Sequence, residues 1–173
     1  MTQGLHEIVW TAHDLLERLN RREKFFVFDV RNRDEFERFP LEGRGPLPAL
    51  NLPYFEMLEL GGKDEMVDSI VACVDRDLAG QLPKDLPILA VCAKGDTSEF
   101  VMQGLRLLGY DASNLKGGMK AWGGHYATRA ILETPDLAIY QVSRPARGCL
   151  SYVVASEGQA VVIDPLRHLH PLE

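Results

Sequence analysis

Pro87-Ile88-Leu89-Ala90-Val91-Cys92-Ala93-Lys94-Gly95-Asp96-Thr97-Ser98 is the stretch that decides the fold. Its first six residues form an unbroken apolar run, the pattern of a strand buried on both faces rather than of a half-exposed one. The polar loop Ala93-Lys94-Gly95-Asp96 then leads into a helix predicted from about Thr97 to Leu108. Strand, glycine-containing loop and helix in that order define one repeat of an α/β layer structure, with a cysteine at the carboxyl end of the strand.

Outward from this unit the alternation continues. Thr11 is placed to cap a helix in which Leu15, Leu16 and Leu19 share a face. Phe25-Phe26-Val27-Phe28-Asp29-Val30 reads as another buried strand, followed by a short charged helix from Arg33 to Phe39. Pro40, Gly43, Gly45, Pro46 and Pro48 enforce a loop, and an irregular stretch is expected up to Gly61-Gly62. Val67, Ile70, Val71, Val74 and Leu78 have helical spacing, with Gly80 as the stop. A short third strand is expected over Ala112 to Leu115, before a helix opened by Gly117-Gly118 and running through Trp122. The sum is an α/β fold, three-layered, with a mostly parallel central sheet. After Thr134-Pro135 the helical signals stop. Leu137 to Val142, Cys149 to Ala155 and Gln159 to Ile163 read as strands, with Ser156-Glu157-Gly158 as a hairpin turn. The boundaries expected are a first domain over 1–127, a linker over 128–136 and a C-terminal β-hairpin fragment over 137–173. The final Leu172-Glu173 also suits a cloning scar.

Composition narrows the function. The 173 residues carry 19 Lys+Arg against 25 Asp+Glu, for a formal net charge of −6, and the basic residues form no stripe. Nucleic acid is therefore not an expected partner, because phosphate binding relies on clustered cations. No apolar run approaches the roughly 20 residues that span a bilayer, and Met1 to Glu7 lacks the pattern of a secretory signal, so no membrane partner and a cytoplasmic location are expected. The three cysteines, Cys73, Cys92 and Cys149, are odd in number and include no CxxC pair; reduced thiols are the expectation.

One of those thiols is a candidate nucleophile. Ligands of open α/β sheets gather at the carboxyl ends of the strands, and a helix N-terminus offers unpaired N–H groups to an anion. A Cys92 thiolate would gain from the loop amides, the helix dipole and Lys94, while Asp96 opposes it. The same cradle would hold a persulfide, whose outer sulfur is an anion. The plain alternative is a buried strand-end cysteine with no chemistry.

The chain resembles the rhodanese (sulfurtransferase) family from about Ile8 to Tyr126. The resemblance rests on Asp29-Val30-Arg31 with Glu35-Phe36, on Asn51-Leu52-Pro53, on the Cys92 loop, on Leu107, Gly109 and Tyr110, and on Asn114-Leu115-Lys116-Gly117-Gly118-Met119-Lys120-Ala121-Trp122. It implies a rhodanese-like fold and a persulfide on catalytic Cys92, held by Ala93, Lys94, Gly95, Asp96, Thr97 and Ser98. Sulfur would enter from a small persulfide or thiosulfate and leave to a thiol, with no cofactor and no metal. Asp29, Arg31 and Glu35 are expected to be structural, fixing a strand-to-helix turn through an ion pair. The tail, Gly148 to Tyr152 with Ala160 to Pro165, resembles the opening hairpin of metallo-β-lactamase-fold, persulfide dioxygenase-like hydrolases, in which rhodanese domains occur fused to the metal domain. The Arg44-Gly45-Pro46-Leu47 insertion and Pro53 to Glu59 look like the rhodanese domains of such fusions. A domain of that kind is thus a candidate partner, but the HxHxDH metal motif is missing: His168 and His170 have the spacing, and Leu172 and Glu173 stand where Asp and His belong.

The family often has an arginine five residues after the cysteine, and here that position is Thr97. A guanidinium fork would hold a sulfonate, whereas hydroxyls are neutral, so thiosulfate is disfavoured as the main donor. Cysteine phosphatases need an arginine six positions after the cysteine; Ser98 stands there, which argues against phosphoryl transfer. A catalytically weak binding module serving a partner metallo-β-lactamase-fold protein is the competing reading. Cys73 within its amphipathic helix, Cys149 at a strand start, and Met119 and Trp122 at helical spacing are expected to pack. His125 is expected at an exposed helix end.

Overall fold

In the computed structural model, which describes residues 8–43 and 45–166, the continuous apolar runs become strands and the 3.6-periodic stretches between them become helices. The chain divides into two units, one up to Trp122 and one from Gly123. In order, the first comprises β1 (Val9–Trp10), α1 (Ala12–Asn20), β2 (Phe26–Asp29), α2 (Arg33–Arg38), β3 (Ala49–Asn51), α3 (Tyr54–Gly61), α4 (Met66–Asp77), β4 (Ile88–Val91), α5 (Asp96–Leu107) and β5 (Ala112–Leu115). α6 (Gly118–Gly124) crosses the boundary. The second unit holds β6 (Ala127–Glu133), β7 (Ala138–Arg144), a 3₁₀ turn over Pro145–Arg147, β8 (Cys149–Ser156) and β9 (Gln159–Ile163).

The first sheet is parallel throughout, in the order β1-β5-β4-β2-β3. β4 and β5 are buried at every residue, as strands covered by helices must be. α4 contributes Ile70, Cys73 and Val74 to the core and α5 contributes Val101, Met102 and Leu105; these pack with Phe28, Ile88 and Ala90. At the N-terminal end Thr11 caps α1 in a reciprocal capping box: its Oγ1 accepts from the Asp14 N–H at 3.2 Å, while the Asp14 carboxylate accepts from the Thr11 N–H at 2.8 Å. The Thr11 hydroxyl, which donates to Asp14 Oδ2 at 2.6 Å, and the Thr11 N–H hold the Asp14 carboxyl below its ordinary pKa.

Two expectations are corrected. The stretch before Gly61-Gly62, expected to be irregular, contains α3, which buries Tyr54, Met57 and Gly61 at intervals of three and four. Pro53 at its start is compatible with a helix, since the first turn needs no N–H from it. The expected linker over 128–136 is mostly β6, which pairs antiparallel with β7 and breaks register between Ala130 and Leu132. Almost every β6 residue is exposed, so hydrogen bonding rather than burial defines this strand, and no apolar alternation marks it. The C-terminal element is accordingly a four-stranded antiparallel sheet, ordered β6-β7-β8-β9. Its last turn places Glu157 at φ 50° and Gly158 at φ 74°, the primed geometry that suits hairpins.

Among the described residues no helix is long and apolar enough to cross a membrane, and no group of three or more His, Cys, Asp or Glu side chains could hold a metal ion. Arg44, His168, His170, Leu172 and Glu173, which entered the sequence reading, lie outside the described residues.

Candidate active site

β4 ends at Val91, and Cys92 is the first residue past it, with only 4% of its surface exposed. The chain then turns through the exposed residues Ala93 and Lys94 to Gly95, whose φ of 95° lies in the left-handed region and lets α5 begin at once with the exposed Asp96. This turn folds the loop back over the sulfur. The Gly95 N–H donates to Cys92 Sγ at 3.0 Å, and the buried Ser98 hydroxyl lies 3.2 Å from it. The Thr97 hydroxyl and the N–H groups of Lys94 and Ser98 also favour the thiolate.

A second segment clamps the loop from outside. The N–H groups of Met119 and Lys120 in α6 donate to the carbonyls of Cys92 and Ala93, at 2.9 and 3.0 Å. That approach is possible only because residue 118 is glycine: a Cβ there would lie 2.3 Å from the Cys92 carbonyl oxygen and 2.7 Å from the Lys94 nitrogen. Gly117-Gly118 is thus a backbone contact of the site as well as a helix start.

Burial alone would raise the Cys92 pKa. Hydrogen bonds from the Ser98 and Thr97 hydroxyls and from the Ser98 and Lys94 N–H groups outweigh it and bring the thiol below its ordinary value. The principal lowering contacts are neutral hydrogen-bond donors at a helix start. Cys73 shows the opposite: burial in α4 pushes its thiol up. All three cysteines are free; Cys73 and Cys92 are buried, whereas Cys149, expected to pack, is exposed at the start of β8.

Asp29, Arg31 and Glu35 form a separate arrangement at the carboxyl end of β2. Arg31 Nη2 donates to Asp29 Oδ2 at 2.6 Å, and its Nε reaches both carboxylate oxygens. Glu35 takes part through its backbone carbonyl, which accepts from Arg31 Nη1 at 3.2 Å, rather than through its carboxylate. Arg31 Nη2 also donates to the Phe39 carbonyl, so the guanidinium ties the middle and the C-cap of α2 to the end of β2. The pair is almost completely buried.

Sequence reasoning did not single out Asn114. This β5 residue is 5% exposed; its Nδ2 donates to the Gly95 carbonyl at 3.0 Å and its Oδ1 lies 2.7 Å from Ser98 Oγ. The available signal was the pair Ser113-Asn114, polar residues within a strand otherwise built to be buried.

A buried thiol with a lowered pKa, at the carboxyl edge of a parallel sheet and facing a ring of N–H and O–H donors, defines a protein equipped for thiolate chemistry. The chain belongs to the rhodanese-like domain family, whose model matches residues 11–125. The family assignment supports sulfurtransferase at the family level. The chain is 34% identical over 134 residues to the adenylyltransferase and sulfurtransferase MOCS3 of Drosophila willistoni, a match that covers 76% of this chain and 24% of that protein. Among solved structures it is similar to a rhodanese-like domain protein from Staphylococcus aureus, at 25% identity and a TM-score of 0.47, over 66% of this chain and 90% of the other. It is also similar to a single-domain sulfurtransferase of Saccharomyces cerevisiae, at 17% identity and a TM-score of 0.42, over 68% and 88% of the two chains.

Proposed function

We propose that this chain is a sulfurtransferase that carries sulfane sulfur as a persulfide on Cys92. The observation that carries the reading is the thiol itself, buried yet lowered in pKa by a ring of neutral donors. In the first half-reaction the Cys92 thiolate attacks the outer sulfur of a small persulfide, R–S–SH. A bond forms from Sγ to that sulfur, the R–S bond to it breaks, and R–S⁻ leaves, giving Cys92–S–SH with no net oxidation. In the second, an acceptor thiolate takes the outer sulfur and returns the Cys92 thiolate. Loss of the persulfide proton leaves the anion on the outer sulfur, among the loop N–H groups.

Thr97 sets the donor preference. Without a guanidinium there, the loop supplies hydroxyls and amides that suit a persulfide better than the sulfonate end of thiosulfate. A low-molecular-weight persulfide such as that of glutathione is therefore the preferred donor and thiosulfate a poor one. The MOCS3 relative supports sulfur transfer; its adenylyltransferase activity does not extend to this chain, which spans about a quarter of that protein. The three free thiols suit a reducing cytoplasm.

The same Thr97 favours a second reading, a binding module with weak turnover that serves a metallo-β-lactamase-fold persulfide dioxygenase. Intact and peptide mass spectrometry separates the two. After incubation with glutathione persulfide, and separately with thiosulfate, the transferase gains one sulfur atom at Cys92, removable by cyanide or a thiol and absent in Cys92→Ser. A folded protein left unmodified by both donors would give the binding module precedence.

A further inference from the structure

We infer that Asn114 is a positioning residue whose Oδ1 accepts the Ser98 hydroxyl hydrogen bond whenever the inner sulfur of Cys92 is uncharged and loses it when that sulfur is a thiolate. The inference rests on the sulfurtransferase reading of Cys92 and extends it to a residue outside the loop. The amide orientation is fixed by its surroundings. The Gly95 carbonyl can only accept, so the Asn114 atom 3.0 Å from it must be Nδ2, and the atom facing Ser98 must be Oδ1. Asn114 itself cannot shift readily, because β5 lies between β1 and β4, with the Asn114 N–H bonded to the Ile8 carbonyl and its Cα in register with Ala90 and Val9.

Ser98 has one hydroxyl proton and three acceptors within reach: Asn114 Oδ1 at 2.7 Å, Cys92 Sγ at 3.2 Å and the Gly95 carbonyl at 3.4 Å. It can serve one of them well at a time. With a neutral thiol, the S–H donates to Ser98 Oγ and Ser98 donates to Asn114. With a thiolate, the charged acceptor draws the hydroxyl to sulfur, and Asn114 Oδ1 loses its donor. Forming the persulfide moves the charge to the outer sulfur, the inner one becomes a weak acceptor, and the hydroxyl hydrogen bond returns to Asn114. Asn114 therefore favours the loaded and neutral states over the free thiolate, while its Nδ2 keeps the Gly95 turn in place in all of them.

Opposite signs distinguish this role from simple support. Removing the competing oxygen in Asn114→Leu leaves the hydroxyl to the sulfur, so the thiolate fraction at neutral pH is expected to rise about twofold or more, read as thiolate ultraviolet absorbance against Cys92→Ser. Asn114→Asp, which keeps an acceptor and adds charge, is expected to lower it, as is Ser98→Ala. Lys94, Asp96, Glu99, Lys116 and Lys120, the charged residues in and beside the loop, stay unchanged in all three. In a Ser98→Ala background, Asn114→Leu should no longer raise the signal. The inference is overturned if Asn114→Leu lowers the thiolate fraction, if its effect survives Ser98→Ala, or if Ser98→Ala alone leaves the fraction unchanged. Ser98→Ala keeps the test decisive should a substitution in β5 prevent folding. None of these readouts requires sulfur transfer, so they fail or succeed separately from the mass-spectrometric test.

Discussion

Ile88–Val91 and Gln159–Ile163 are both short apolar strands, yet every residue of β4 is buried and every residue of β9 is exposed. Hydrophobic content does not separate them; position does. β4 is central in a parallel sheet covered by helices, while β9 is the edge of an antiparallel sheet that exposes Ile131, Leu132, Leu150, Val161, Val162 and Ile163. The cysteines follow the same division. Cys92 leaves a buried strand into a loop of donors, whereas Cys149 opens β8 in the open, where its S–H donates to the Arg147 carbonyl at 3.7 Å. On the proposed function, reactivity comes from what the loop after the strand presents to the sulfur.

The largest expected effect tests that division directly. Cys92→Ser should abolish sulfur loading, while Cys149→Ser should leave it intact, both read by peptide mass spectrometry with glutathione persulfide. Loading that survives at Cys149 in the Cys92→Ser protein would erase the distinction between the two regions.

Next in size is Gly118→Ala. The new methyl would meet the Cys92 carbonyl at a φ of 57°, so steric overlap and left-handed strain together should cost about 3 kcal/mol. Urea unfolding measures that loss, and sulfur loading should fall even in the fraction that stays folded, because the clamp on the loop is displaced.

A gentler probe compares two buried thiols within the first unit. Hydrogen bonding lowers Cys92, and burial raises Cys73, so iodoacetamide at neutral pH should modify Cys92 before Cys73. Linkage gives the signs. Cys92, lowered in the folded state, adds stability that is present above the unfolded value and lost as pH falls through the folded one. Cys73, raised in the folded state, adds stability that is present below the unfolded value and lost as pH rises through the folded one. Measured against Cys92→Ala, the native protein should therefore gain stability as pH rises toward 9.0; measured against Cys73→Ala, it should lose stability above that value.

These contrasts also explain what could be read before the structure. β2, β4 and α5 were legible because burial leaves a mark: Phe26-Val27-Phe28 and Ile88–Val91 are apolar in a row, and α5 repeats its apolar residues at helical spacing. Cys92 and its loop were legible from their place after β4. β1 and β3, at two and three residues, are too short for periodicity, and β6 is held by pairing rather than burial. α3 was hidden by Pro53 and Gly61-Gly62, which read locally as loop. Asn114 was hidden because it acts across 16 residues of sequence, through Ser98, and only the β4–β5 pairing brings them together.

The smallest effect asks whether the two units are thermodynamically separate. Both tryptophans, Trp10 and Trp122, belong to the first unit and are buried, so their fluorescence reports on that unit alone, whereas circular dichroism sees both sheets. Thr11 and Thr134 are matched probes, one capping α1 and the other closing the turn before β7, where its Oγ1 accepts from the Leu137 N–H at 3.0 Å. Thr11→Ala should cost about 1 kcal/mol and shift the fluorescence midpoint, since the cap supports a helix fixed to a buried core. Thr134→Ala, in an exposed turn that water can solvate, should cost only about 0.5 kcal/mol and leave the fluorescence midpoint in place, moving only the dichroism. If both replacements shift the fluorescence equally, the units unfold as one, and the exposure of β9 has to be explained within a single cooperative structure rather than as the property of a separate sheet.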